Sequence, residues 1–128
     1  MLLSGLVMAG FQDSTNDAIL NGIDAGMLSL SGTELVVLSA CHTGGGEIEN
    51  SEGVIGLQRS FKLAGAKYIT MSLWKAQDHI TRTIMERFYS HWLSGKGYVE
   101  ALRSAQQDLR KANTNLLPRD WGAWIIAE

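Results

Sequence analysis

Four side chains set the range of chemistry open to this chain: Cys41, its only cysteine, and the histidines His42, His79 and His91. A thiolate attacks a peptide carbonyl readily, so a cysteine with a nearby base or a lowered pKa can form an acyl-enzyme. Cys41 follows Leu35-Val36-Val37-Leu38-Ser39-Ala40 and precedes His42-Thr43-Gly44-Gly45-Gly46. The apolar run predicts a strand buried on both faces. The glycines predict a loop with backbone angles closed to other residues. In open α/β sheets, chemistry collects just beyond the carboxyl ends of strands, and Cys41 falls there. Set against that, free cysteine is among the most buried residue types and packs as a small hydrophobe.

None of the histidines claims the role of base decisively. His42 adjoins Cys41, but neighbouring side chains leaving a strand point to opposite faces. His79 is expected at a helix N-terminus just past a strand end, where it could share a sheet edge with Cys41. The helix dipole there disfavours an imidazolium, and a role in the cap region is the plainer reading. His91 is expected within a helix, as a partly exposed structural residue.

Other chemistries find less support. The dinucleotide fingerprint G-x-G-x-x-G starts at Gly44 and Gly46 but fails at its third glycine, where Glu49 stands. Gly95-Lys96 lacks the upstream glycine and the following hydroxyl of a Walker A loop. Glu47, Glu49 and Glu52 would also repel a phosphate. Ser72 to Lys75 satisfies S-x-x-K at a strand end rather than at the opening of a helix, which reads as coincidence. One cysteine and three scattered histidines lack the spacing of metal ligands, so neither a metal nor a cofactor is expected. Glu47, Glu49 and Asp78 could shape a pocket for a basic residue, although surface solvation accounts for them as well.

The elements that must position Cys41 follow from periodicity and punctuation. Ser4 to Gly10 reads as a short strand or extended segment. Asn16 or Asp17 could cap a helical turn through Leu20, Asn21-Gly22 is a turn signal, and Ile23 to Leu30 could hold one further turn. Ser51 is a candidate N-cap for a helix carrying Val54, Leu57, Phe61 and Ala64 on one face, ended by Gly65. Lys67 to Leu73 predicts a second strand. Asp78 is a candidate cap for a helix with Ile80, Ile84, Phe88 and Trp92 in line, stopped by Gly95. Tyr98, Leu102, Ala105, Leu109 and Ala112 mark another helix. Asn113 to Asp120 reads as a loop and Trp121 to Ala127 as a closing strand. Strand, helix, strand, helix, helix, strand predicts an α/β fold, a mostly parallel sheet with covering helices.

Composition sets the outer limits. The 128 residues are one domain's worth or a piece of a larger one, with 45% hydrophobic residues, enough for a core. The formal net charge is −2 and no basic stripe appears, which argues against nucleic acid. No apolar run approaches the roughly 18 residues of a membrane span. The apolar N-terminus has no positive charge ahead of it and makes a poor signal peptide. A lone cysteine excludes an internal disulfide and fits a reducing cytoplasm.

Leu35 to Gly46 (LVVLSACHTGGG), Glu52 to Leu57 (EGVIGL), Phe61 to Ala66 (FKLAGA) and Ser72-Leu73-Trp74 together resemble the CHAT domain. That family comprises caspase-like cysteine peptidases often found beside tetratricopeptide repeats. Met85 to Tyr89 (MERFY), Gly95-Lys96 with Ala101-Leu102, and the closing segment from Trp121 resemble its C-terminal portion. The similarity covers nearly all of the chain. It implies a caspase-like three-layer α/β sandwich in which Cys41 matches the nucleophile. The family's base is a histidine in a His-Gly pair, and that region also supplies part of the oxyanion hole. The pair lies upstream of the segment that Ser4 to Gly10 resembles, and no His-Gly pair occurs in this sequence. The family usually carries Glu where His42 stands, a lesser departure.

The resemblance therefore implies a C-terminal half of a CHAT domain over residues 1–128, with nucleophile and without base. As a peptidase half it would act on a peptide or protein substrate, completed by a missing N-terminal half and accompanied by tetratricopeptide repeats. The alternative is a non-catalytic partner-binding module or a degenerate fragment. An uncovered sheet edge in such a half would invite self-association.

Overall fold

A computed structural model describes residues 5–8, 19–39 and 51–128. The chain divides into two units, residues 1–69 with 127–128, and residues 70–126. The expected segments at Gln12 to Asp17 and at the loop 41–50 lie outside the described residues.

In the first unit, β1 (Gly5–Val7) pairs antiparallel with β2 (Ile19–Asn21), Leu6 opposite Leu20. Ile19 and Leu20, expected to end a helical turn, are therefore strand, because their backbone groups find partners in β1; Asn16 and Asp17 lie outside the described residues. Asn21 does more than turn the chain. It caps α1 (Gly22–Gly26), its Oδ1 accepting from the backbone N–H of Ile23 (2.9 Å) and Asp24 (3.0 Å). Its Nδ2 donates to Asp24 Oδ2 at 2.6 Å, which fixes the cap's orientation. These bonds satisfy donors that a helix start otherwise leaves unpaired.

β3 (Leu35–Leu38) and α2 (Ser51–Leu63) bracket the glycine loop. Leu57, Phe61 and Ala64 are buried at the expected spacing. Ser60 is fully buried too, its hydroxyl donating to the carbonyl of Gly56 at 3.0 Å. α2 ends as its sequence predicts, with Gly65 at φ 107°. Gly65 N–H donates to Lys62 C=O (3.0 Å) and Ala66 N–H to Phe61 C=O (3.1 Å). That crossed pair is a Schellman cap, with buried Phe61 and Ala66 as its apolar contact.

All four β3 residues are partly exposed, which corrects the expectation of burial on both faces. Among the described residues, the strand order β3-β4-β5 puts β3 at an edge and β4 (Tyr68–Ser72) in the middle. Ile69 to Ser72 are buried accordingly. Hydrogen bonds from Lys67 N–H to Thr33 C=O (3.0 Å) and from Tyr68 N–H to Glu34 C=O (2.9 Å) hold the start of β3 in place.

The second unit is built on α3 (Asp78–Leu93) and α4 (Tyr98–Ala112), which pack against each other. Ile80, Ile84 and Phe88 of α3 and Ala101, Leu102, Ala105 and Leu109 of α4 are buried, as their spacing predicts. Burying each large apolar side chain stabilises by about 1.5–3 kcal/mol. Ala112 departs from its stripe and is exposed at the helix end. Gln77 rather than Asp78 is the N-cap of α3, so Asp78 sits one residue inside, where its charge complements the N-terminal dipole. Gly95, at φ 104°, ends α3 in a second Schellman cap through Trp92 and His91 carbonyls.

The closing strand is shorter than its apolar run suggests. Pro118–Trp121 forms one helical turn, α5, and only Trp124–Ala127 is strand, β5. Pro118 supplies a φ suited to a first helical position, and Asp120 Oδ2 accepts from Leu117 N–H at 2.8 Å. These local bonds hold Trp121 in the turn. Thr70 Oγ1 donates to Ile125 C=O (2.9 Å) and Leu73 N–H to Ala123 C=O (2.8 Å). The result is a mixed α/β fold of small sheets and helices.

Candidate active site

The strand and helix flanking Cys41 are both present. The chain leaves β3 after Leu38, passes exposed Ser39, and is described again where α2 begins at Ser51. A strand end followed by a loop and a helix start is the setting in which α/β sheets place ligands and nucleophiles. Cys41, His42, the glycines 44–46, Glu47 and Glu49 lie outside the described residues.

His79 is the second residue of α3 and is exposed. Its carbonyl accepts from Thr83 Oγ1 at 2.9 Å. Among the described residues its ring makes no hydrogen bond. Asp78, the acid weighed as part of a basic-residue pocket, is also exposed. Ser72 is buried at the end of β4 while Lys75 is exposed, so nothing supports S-x-x-K chemistry.

Of the two described histidines, His91 is the one whose ring has a hydrogen-bond partner. Its Nε2 lies 2.7 Å from Asp108 Oδ2, joining α3 to α4. The hydrogen bond from His91 holds the Asp108 carboxyl below the usual carboxylate range. Partial desolvation opposes that shift, and the charges of His91, Arg87 and Lys111 reinforce it. The ring's side-chain exposure of 24% matches the partly exposed structural residue expected for His91. Asp108 was not legible as its partner from sequence alone. It precedes Leu109 on the edge of the α4 stripe, and only the crossing of two helices brings it to His91.

Among the described residues, no group of three or more His, Cys, Asp or Glu side chains converges as a metal site. None of the described helices is long and apolar enough to cross a membrane.

Comparison with known proteins bears on the residues around Cys41. Tetratricopeptide repeat protein 28 of Homo sapiens is 28% identical over 93 residues, 73% of this chain and 4% of that protein. Tetratricopeptide repeat protein 28 of Mus musculus is 26% identical over 110 residues, 86% of this chain and 4% of that protein. The chain thus spans about 4% of the length of these relatives. No solved structure matches. The CHAT domain profile matches residues 1–127. A match that takes in β3, the Cys41 loop and every described element places the sequence in one family: this chain belongs to the CHAT domain family.

Proposed function

We infer that these residues form the nucleophile-bearing part of a CHAT-type cysteine endopeptidase domain. In this reading the Cys41 thiolate adds to the carbonyl carbon of a peptide substrate. The amine then leaves with a proton, and water hydrolyses the resulting thioester. The observation that supports the reading is that Cys41 follows the last residue of β3, Leu38, by three positions in the sequence of a CHAT-family chain. The base comes from a His-Gly segment outside these residues. His42, His79 and His91 are followed by Thr43, Ile80 and Trp92, so none matches that pair. The relatives support work beside tetratricopeptide repeats, and a cytoplasmic setting suits a free thiol.

Two measurements test this. The 128 residues alone are expected to show negligible peptide cleavage, since a thiol of ordinary pKa near 8.5 is only a few per cent thiolate at neutral pH. Joined to a His-Gly segment, the chain should cleave a fluorogenic peptide library. Cys41→Ala should then lower the rate at least about a thousandfold. Cleavage that survives Cys41→Ala would overturn the assignment. A folded, joined protein that cleaves nothing would favour the second reading, a partner-binding module without catalysis. The missing His-Gly pair is what keeps that reading alive.

A further inference from the structure

The charges of this chain are unevenly distributed. Residues 70–126 hold eight of the eleven Lys and Arg but five of the thirteen Asp and Glu, so they carry a positive balance within a chain of net −2. One cation there stands out by its surroundings. The guanidinium of exposed Arg110 lies 5.9 Å from the centre of the Trp121 ring, within reach of a cation–π contact. Its neighbours three and four positions away on α4 and beyond are Gln106, Gln107, Asn113 and Thr114, all uncharged. The acids closest in sequence to Arg110 and Trp121 bond elsewhere, Asp108 with His91 at 2.7 Å and Asp120 with the Leu117 N–H at 2.8 Å. Among the described residues, Arg110 has an aromatic partner and no carboxylate.

Arg110, Thr114, Leu116, Pro118 and Trp121 line an open depression of about 350 Å³. Its walls are tied down. Gln106 Nε2 donates to Trp121 C=O at 3.2 Å, and Trp74 Nε1 donates to Arg119 C=O at 2.7 Å. The turn after α4 is closed by Asn115 N–H on Asn113 Oδ1 (3.1 Å) and Leu116 N–H on Asn113 C=O (3.2 Å). The backbone bonds order the apolar floor in advance, which lowers the cost of receiving a ligand beside the guanidinium.

We propose that this depression docks a short acidic segment of a partner protein. An Asp or Glu carboxylate takes the two-pronged face of the Arg110 guanidinium. An adjoining apolar side chain rests on Trp121, Leu116 and Pro118. Thr114 offers a hydroxyl to the bound backbone. A long nucleic-acid chain fits the site less well. One guanidinium offers a single phosphate contact, and the chain's net charge of −2 opposes a long polyanion more than one or two carboxylates. The proposal does not depend on the role of Cys41.

The test is an NMR titration of the 128-residue chain with a short peptide alternating glutamate and leucine. Its glutamine–leucine counterpart and a short uridine RNA are titrated in parallel. The acidic peptide should shift the Arg110 side-chain N–H and Trp121 indole N–H signals saturably, with Kd on the order of 100 μM. Replacing glutamate by glutamine should weaken binding about threefold to fivefold, as should Arg110→Gln, the range set by one exposed ion pair. Raised salt should weaken it in parallel. Equal binding of the two peptides would overturn the proposal, as would binding unaffected by Arg110→Gln. So would RNA binding tighter than the acidic peptide, or no shifts with millimolar peptide. The peptide comparison uses the unmutated chain, so it stands even where a variant is poorly folded.

Discussion

Gly65 and Gly95 occupy the same role with different surroundings, which separates two costs usually measured together. Both end a helix at positive φ, 107° and 104°. A Cβ on Gly95 meets nothing within 4 Å, whereas one on Gly65 comes within 3.0 Å of the Ser31 backbone nitrogen. Gly95→Ala should therefore cost the conformational penalty alone, about 1–2 kcal/mol. Gly65→Ala should cost that plus the displacement of the backbone at Ser31. Urea denaturation of both variants checks the order, and equal costs would mean that the Ser31 segment yields freely. Asn21 belongs at this scale as well. One amide side chain converts what reads as a turn into the start of α1, by accepting two backbone N–H groups.

Between elements, the α3–α4 pair joins an apolar seam to one polar link. The seam follows from spacing, since Ile80, Ile84 and Phe88 face inward as the 3.6-residue period requires. The polar link is His91 with Asp108. Because the folded state lowers the Asp108 pKa, its contribution to stability is fully present above the unfolded value near 3.8. That contribution is lost as pH falls through the folded value. Asp108→Asn should accordingly be less stable than the parent at pH 6, and the difference should vanish in strong acid. At 39% side-chain exposure the link is screened by solvent, so the difference will be small. Denaturant midpoints across the acid range measure it. A gap that stayed constant down to the lowest pH would assign the loss to packing rather than to charge.

At the scale of the whole molecule, apolar side chains left in water bear on how the protein behaves. Met27, Leu63 and Leu93 are 75%, 74% and 77% exposed, and among the described residues β3 is an edge strand with partly exposed apolar side chains. Surfaces of that kind favour association between copies. Light scattering across a concentration series should show mass rising above that of the 14.0 kDa chain. A constant monomer mass would mean that these groups are too dispersed to form an interface.

Residue order alone was enough for the parts that depend on neighbours along the chain. The stripes of α2, α3 and α4, the strand at Leu35–Leu38, and the glycine stops at Gly65 and Gly95 follow from period and backbone freedom, which are local properties. The Cys41 motif together with the segments at 52–57, 61–66, 72–74 and beyond was likewise enough to mark the CHAT family, because the resemblance rests on residue types at fixed spacing. The tertiary structure decided what depends on distant partners. Pairing with β1 makes Ile19–Asn21 a strand rather than a helical turn, and the strand order leaves β3 half exposed despite its unbroken apolar run. The crossing of α3 and α4 selects Asp108 for His91. The short turn at Pro118–Trp121 sets Trp121 beneath Arg110 rather than in a strand. In each case a residue's type fixes what it can bond, and only the folded chain fixes what comes within reach.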